Sequence, residues 1–133
     1  MNESILAYPQ ETTEKHFNHE RIPVQIYLDS NEACQVIGDE IIQQINQRSA
    51  DQTFVLGLAT GSTPIKVYQH LIRAYQAGEV SFSNVHSFNL DEYFPMDPQS
   101  IHSYVEFMHK NLFDYIDIPK ENIHIPDGTI APE

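Results

Sequence analysis

The chain has 133 residues, 41% of them hydrophobic, enough for one domain that buries roughly two thirds of its unfolded surface. Nineteen acidic against seven basic residues leave a formal charge of -12, which argues against duplex nucleic acid or an anionic membrane surface as partner. Cys34 is the only cysteine, which excludes an intramolecular disulfide; no apolar run approaches the ~20 residues of a membrane span and no signal peptide follows Met1, so a soluble protein of the reducing cytoplasm is expected.

Residues 1–22 mix polar side chains without a sustained period and are expected to form an arm, with 23–133 making up the domain. Val24 to Leu28 is a short β-rich run that reads as a strand. Asp29 and Glu32 then have capping-box spacing and predict a helix start. Ala33, Val36, Ile37, Ile41 and Ile45 recur at helical intervals through about Gln47 and predict one buried stripe. Cys34 falls off that stripe and is expected to be an inert bystander.

Phe54 to Ala59 is a continuous apolar run of the kind found in a buried parallel strand. Thr60-Gly61-Ser62-Thr63-Pro64 ends it, with Thr63 suited to an N-cap and Pro64 to the first helical position. Ile65, Tyr68, Leu71, Ile72 and Tyr75 predict a helix that ends near Gly78. A third strand, Val85 to Leu90, runs into Asp91-Glu92-Tyr93. The segment from Ile101 to about Tyr115 reads as a helix with Tyr104, Val105, Met108 and Leu112 on one face, and Asn122 to Ile125 as another strand. Strands alternating with helices predict a doubly wound, mostly parallel α/β sheet, Rossmann-like, with helices on both faces. The chain stops just after a strand and a Pro126-Asp127-Gly128 turn, so an incomplete domain is expected.

Two segments carry chemistry. In Thr60 to Thr63, Gly61 permits close backbone approach, and the hydroxyls of Thr60, Ser62 and Thr63 can converge on a phosphate together with free N–H groups at the helix start. Neither the Lys-Ser/Thr ending of a nucleotide loop nor the spacing of a dinucleotide loop is present. The pattern also fits an ordinary strand-to-helix turn. Asp91 is expected where its strand runs out, at the edge where open parallel sheets bind ligands. A carboxylate there can serve as general base for a carbon-bound proton, or as a simple cap or solvated turn acid. Glu92 is a weaker acid candidate. No His or Cys pair has metal-ligand spacing, so no metal and no cofactor is assigned.

The run Leu56 to Pro64, followed by Phe88-Asn89-Leu90-Asp91-Glu92-Tyr93, resembles the glucosamine-6-phosphate deaminase family. Ser103-Tyr104, Phe107 to Asn111 and Asp117-Ile118-Pro119 continue the likeness, which extends from about Val24 to Gly128. The resemblance implies a cytoplasmic enzyme that isomerises glucosamine 6-phosphate and releases ammonia without an organic cofactor. Asp91 would be its base, Thr60, Gly61, Ser62 and Thr63 its phosphate loop, and Glu92 and Tyr104 candidates for the pocket wall. The family's remaining catalytic groups and the basic residues of its phosphate site belong to a segment beyond Glu133, so the chain alone is expected to bind weakly and catalyse little. Ala59 stands where the family often has Pro. Two alternatives share the fold: a 6-phosphogluconolactonase-like hydrolase, which tends to carry an Arg after the corresponding acids, and a phosphosugar sensor without catalysis. Oligomeric state is left open, a homo-oligomer of the full-length protein included.

Overall fold

The computed structural model describes residues 24–49 and 51–131; the expected arm, 1–22, lies outside them. The elements in chain order are α1 (Ser30–Asn46), β1 (Phe54–Leu58), α2 (Ile65–Gln76), β2 (Val85–Asn89), α3 (Tyr104–Asn111), 3-10 turns at Phe113–Tyr115 and Lys120–Asn122, and the short strand β3 (Ile123–His124). The strands form a parallel sheet in the order β1-β2-β3. Helix and strand alternate, as the two periodicities of the sequence require.

Asp29 starts α1 as expected. Its Oδ1 accepts from the N–H groups of Asn31 at 2.7 Å and Glu32 at 3.0 Å. Those two bonds hold the Asp29 carboxyl below its ordinary range. Glu32 closes the turn by accepting from Leu28 N–H at 3.1 Å. The buried stripe of α1 differs from the expected one: Gly38 and Ile45 are buried, with Cys34, Ile41 and Ile42 packed beside them, whereas Val36 and Ile37 are exposed. Cys34 therefore sits on the packed face and not off it. The helix carries apolar residues on two faces, and its packing against α2 decides which one is buried.

Val24 to Leu28 is not a strand. Ile26 is 92% and Leu28 84% exposed, and no described strand runs beside them. β-branched residues favour a pleated surface only where a neighbour supplies the ladder bonds and cover.

One core holds the domain together. Leu71 of α2, Phe82, Val85 of β2, and Met108 and Leu112 at α3 are almost completely buried; truncating any of them to Ala would cost about 2–5 kcal/mol. All belong to a single cluster under the helix-covered face of the sheet. On the opposite face Val55 is 62% and Phe88 47% exposed, and no described helix covers it. A parallel sheet of a doubly wound fold is normally covered on both sides, so this part of the domain is incomplete, as expected. The last helix is shorter than its apolar pattern: Ser103 Oγ accepts from Glu106 N–H at 3.0 Å and starts α3 there, leaving Ile101 outside. Leu112 leaves helical backbone geometry and a 3-10 turn follows.

Candidate functional site

The register places the site. Leu58 pairs with Asn89 at the last position of the β1–β2 ladder, so Ala59 and Leu90 leave adjacent strands about 4.8 Å apart. Thr60 and Asp91 each follow one residue later. An open depression between the two strand ends is lined by Gly57, Leu58, Ala59, Phe88, Asn89 and Leu90. The strands therefore deliver the threonine-rich turn and the acid-bearing loop to one edge of the sheet.

Within the turn, Gly61 has φ +95°, a conformation that side chains with a Cβ rarely adopt. Ser62 and Thr63 are exposed and Thr60 half-buried. Thr63 does not cap α2: the preceding position is taken by Pro64 in right-handed geometry, and among the described residues no side chain bonds to the first N–H groups. Only the backbone of Pro64 enters the helix ladder, accepting from Tyr68 N–H at 3.0 Å. The first turn of α2 thus keeps N–H groups available to an anion, with the positive end of the helix dipole behind them. Lys66 is the basic residue of that turn, and its Nζ is turned aside to Ser30 Oγ at 2.7 Å.

A residue that sequence reasoning read only as core holds the turn in place. The Tyr68 hydroxyl accepts from Ala59 N–H at 3.1 Å and donates back to Ala59 C=O. Burial pushes its phenol above the ordinary value, against the opposing effect of the Ala59 bond. No sequence signal separates this role from packing, because Tyr68 falls on the apolar stripe.

The acid-bearing loop is built differently. Asn89, buried at the end of β2, donates from Nδ2 to Leu58 C=O at 3.4 Å and ties the two strand ends together. Leu90 and Asp91 follow, both exposed, and the Asp91 side chain has no hydrogen bond among the described residues. Glu92 is half-buried and turned back toward α3. Its Oε2 accepts from the N–H groups of Tyr104 at 2.8 Å and Val105 at 3.3 Å, while Oε1 accepts from Tyr93 N–H at 2.9 Å. Tyr93 and Tyr104 lie with ring centroids 5.0 Å apart. The Tyr93 phenol is raised, first by the neighbouring Tyr104 hydroxyl and then by the charges of Asp91 and Glu92. Glu92 and Tyr104 are therefore brought together, and the contact between them is structural.

A second missed residue closes the loop from the other side. Gly128 C=O accepts from Met96 N–H at 2.8 Å. A Cβ on Gly128 would stand 2.5 Å from Tyr93 O and 2.7 Å from Met96 Cβ, so only glycine permits this approach. Asp127 presents it, with Oδ1 accepting from Thr129 N–H at 2.9 Å and from its hydroxyl at 2.6 Å. Among the described residues no group of three His, Cys, Asp or Glu side chains could hold a metal ion, and no helix is long and apolar enough to cross a membrane.

Comparison with known proteins agrees with this fold. Residues 28–133 match the family model described as glucosamine-6-phosphate isomerases/6-phosphogluconolactonase. The chain is 53% identical over 107 residues to a glucosamine-6-phosphate deaminase of Hahella chejuensis, covering 80% of this chain and 40% of that protein. It is 50% identical over 95 residues to a glucosamine-6-phosphate deaminase of Yersinia enterocolitica, covering 70% and 35% respectively. A solved structure of a monomeric glucosamine-6-phosphate deaminase superimposes with a TM-score of 0.77 at 32% identity, covering 84% of this chain and 45% of that one. A 6-phosphogluconolactonase from Plasmodium vivax superimposes with a TM-score of 0.62 at 26% identity, covering 77% and 35%. The chain spans less than half the length of each of these relatives.

Proposed function

The chain belongs to the glucosamine-6-phosphate isomerase/6-phosphogluconolactonase family, and from that premise we propose that it supplies the amino-terminal part of a cytoplasmic enzyme converting glucosamine 6-phosphate to fructose 6-phosphate and ammonia. Residues 23–133 are that part of the catalytic domain, and 1–22 an arm ahead of it. The observation that carries the reading is the pairing of Leu58 with Asn89, which starts from adjacent strand ends a helix amino-terminus and a carboxylate that, among the described residues, have no side-chain cap and no hydrogen bond respectively.

In this reading Thr60, Gly61, Ser62 and Thr63 hold the phosphate of the open-chain sugar with the first N–H groups of α2. Asp91 takes the proton from C2 and returns it to C1. The electron pair left at C2 forms the C1=C2 bond of the enolamine as O1 takes a proton from the substrate's own ammonium group; protonation at C1 then leaves an alcohol at C1 and an iminium at C2. Water adds at C2 and ammonia leaves, giving the ketone. Binding of the remote phosphate orients the reacting carbons, which is where the turn contributes to rate. Hydrolysis of a phosphogluconolactone is the second reading, favoured by the fold shared with the Plasmodium vivax enzyme. The higher identity to deaminases, 50% and 53%, and the absence of Arg after Asp91-Glu92 favour the first.

Ammonia release from glucosamine 6-phosphate by the full-length protein tests the proposal, with 6-phosphogluconolactone hydrolysis run in parallel. Asp91→Asn is expected to lower kcat by about 10²–10⁴-fold. Equal turnover in the two forms would remove Asp91 from the base role, and lactone hydrolysis without ammonia release would move the chain to the second reading.

A further inference from the structure

The loop from Leu90 to Ser103 is held at points that frame Asp91. Asn89 fixes the strand end before it through Leu58 C=O. Glu92 fixes the residue after it, because its two oxygens take N–H groups from Tyr93 on one side and from Tyr104 and Val105 on the other. Gly128 then braces the same stretch through Met96 N–H and the close approach to Tyr93 O and Glu92 Cγ. Between these anchors Leu90 and Asp91 make no hydrogen bond among the described residues, and Leu90 is 90% exposed.

We infer that Glu92 is a positioning residue, whose carboxylate ties the Asp91 loop to the amino-terminus of α3 and so sets where the Asp91 carboxylate stands. The inference rests on the reading of Asp91 as base. Glu92 does not meet the substrate: both of its oxygens are committed to backbone donors, and a half-buried carboxylate that released them would leave the first N–H groups of α3 without partners. Reach and shape matter here more than charge. A Gln keeps the length and one acceptor oxygen for Tyr104 and Val105; an Asp keeps the charge but is one methylene short, and cannot bridge from the loop to α3.

The two substitutions therefore separate positioning from acid chemistry. Hydrogen exchange is measured at the Tyr104 and Val105 amides of the chain, and steady-state kinetics on glucosamine 6-phosphate with the full-length protein. Glu92→Ala is expected to speed exchange at both amides and to lower kcat by about 10²-fold, the scale of an ~1 Å misplacement, with KM within about twofold because the phosphate turn is untouched. Glu92→Gln is expected to restore most of both readouts and Glu92→Asp neither. The reverse order, with Asp active and Gln inactive, would show Glu92 acting through its charge and overturn the inference, as would unchanged exchange and kcat in Glu92→Ala. Should Glu92→Ala not fold, the Gln and Asp variants decide the matter alone. Asp91→Asn in the same assay keeps the two claims apart: retained turnover there removes the base assignment, whereas the exchange order of the Glu92 variants reports the tether independently of it.

Discussion

α2 and α3 handle their first N–H groups in opposite ways. α2 follows a short turn of hydroxyl residues, and no side chain among the described residues caps it; its turn is held from behind, by the buried Tyr68 hydroxyl on Ala59. α3 follows a long loop, and its start is filled twice, by Ser103 Oγ on Glu106 N–H and by Glu92 on Tyr104 and Val105. A helix amino-terminus binds an anion only while its donors are free. One helix thus leaves its first donors without a side-chain cap among the described residues and the other spends them on its own chain, which makes the first a candidate binding element and the second an anchor.

Replacing Gly128 strikes the anchored side hardest. Gly128→Ala puts a methyl 2.5 Å from the Tyr93 carbonyl, a backbone atom that cannot rotate away, and is expected to cost about 2–3 kcal/mol in urea unfolding, in the upper part of the overpacking range. A change near zero would mean that the loop adapts freely and that the contrast between the two regions is weaker than the contacts imply.

Tyr68→Phe strikes the other side. It leaves the Ala59 N–H and C=O without their partner and is expected to cost about 1–2 kcal/mol. A pH signature accompanies it. Because burial raises the folded phenol above its ordinary value of 10.0, the unfolded chain loses that proton first, and stability present below pH 10 declines as pH rises beyond it. The Phe variant should lack this component, so its stability should fall less steeply than that of the parent in alkaline denaturation.

The smallest test compares the helix starts directly. Ser103→Ala should cost about 1 kcal/mol through loss of a cap. Thr63→Ala, one residue ahead of the Pro64 that precedes α2, should change stability by no more than about 0.5 kcal/mol. Equal losses in thermal unfolding would mean that Thr63 does cap α2 and that its N–H groups are not free.

Much of this was readable in the residues. The Asp29 cap, the β1–turn–α2 unit, β2 and the short β3 all follow from local periodicity and turn chemistry, because those signals involve residues a few positions apart. The order of the two site segments was legible as well, since parallel strands bring their carboxyl ends to one edge. Thr63 as a cap was not, because the helix begins one residue later, after Pro64 in right-handed geometry. The strand expected at Val24 to Leu28 failed for a related reason, as propensity cannot supply a hydrogen-bonding neighbour.

The amino-acid order by itself determined the start of α1, the β1–turn–α2 unit, β2 and the short β3, and that the strands run parallel. Tertiary structure alone decided which face of α1 is buried, carrying Cys34 inward and leaving Val36 and Ile37 outside. It also decided that Glu92 reaches α3 and that Gly128 meets Tyr93. These choices join residues distant in the chain, and they depend on three-dimensional packing and on which donors are left without partners, neither of which has a period that a sequence can display.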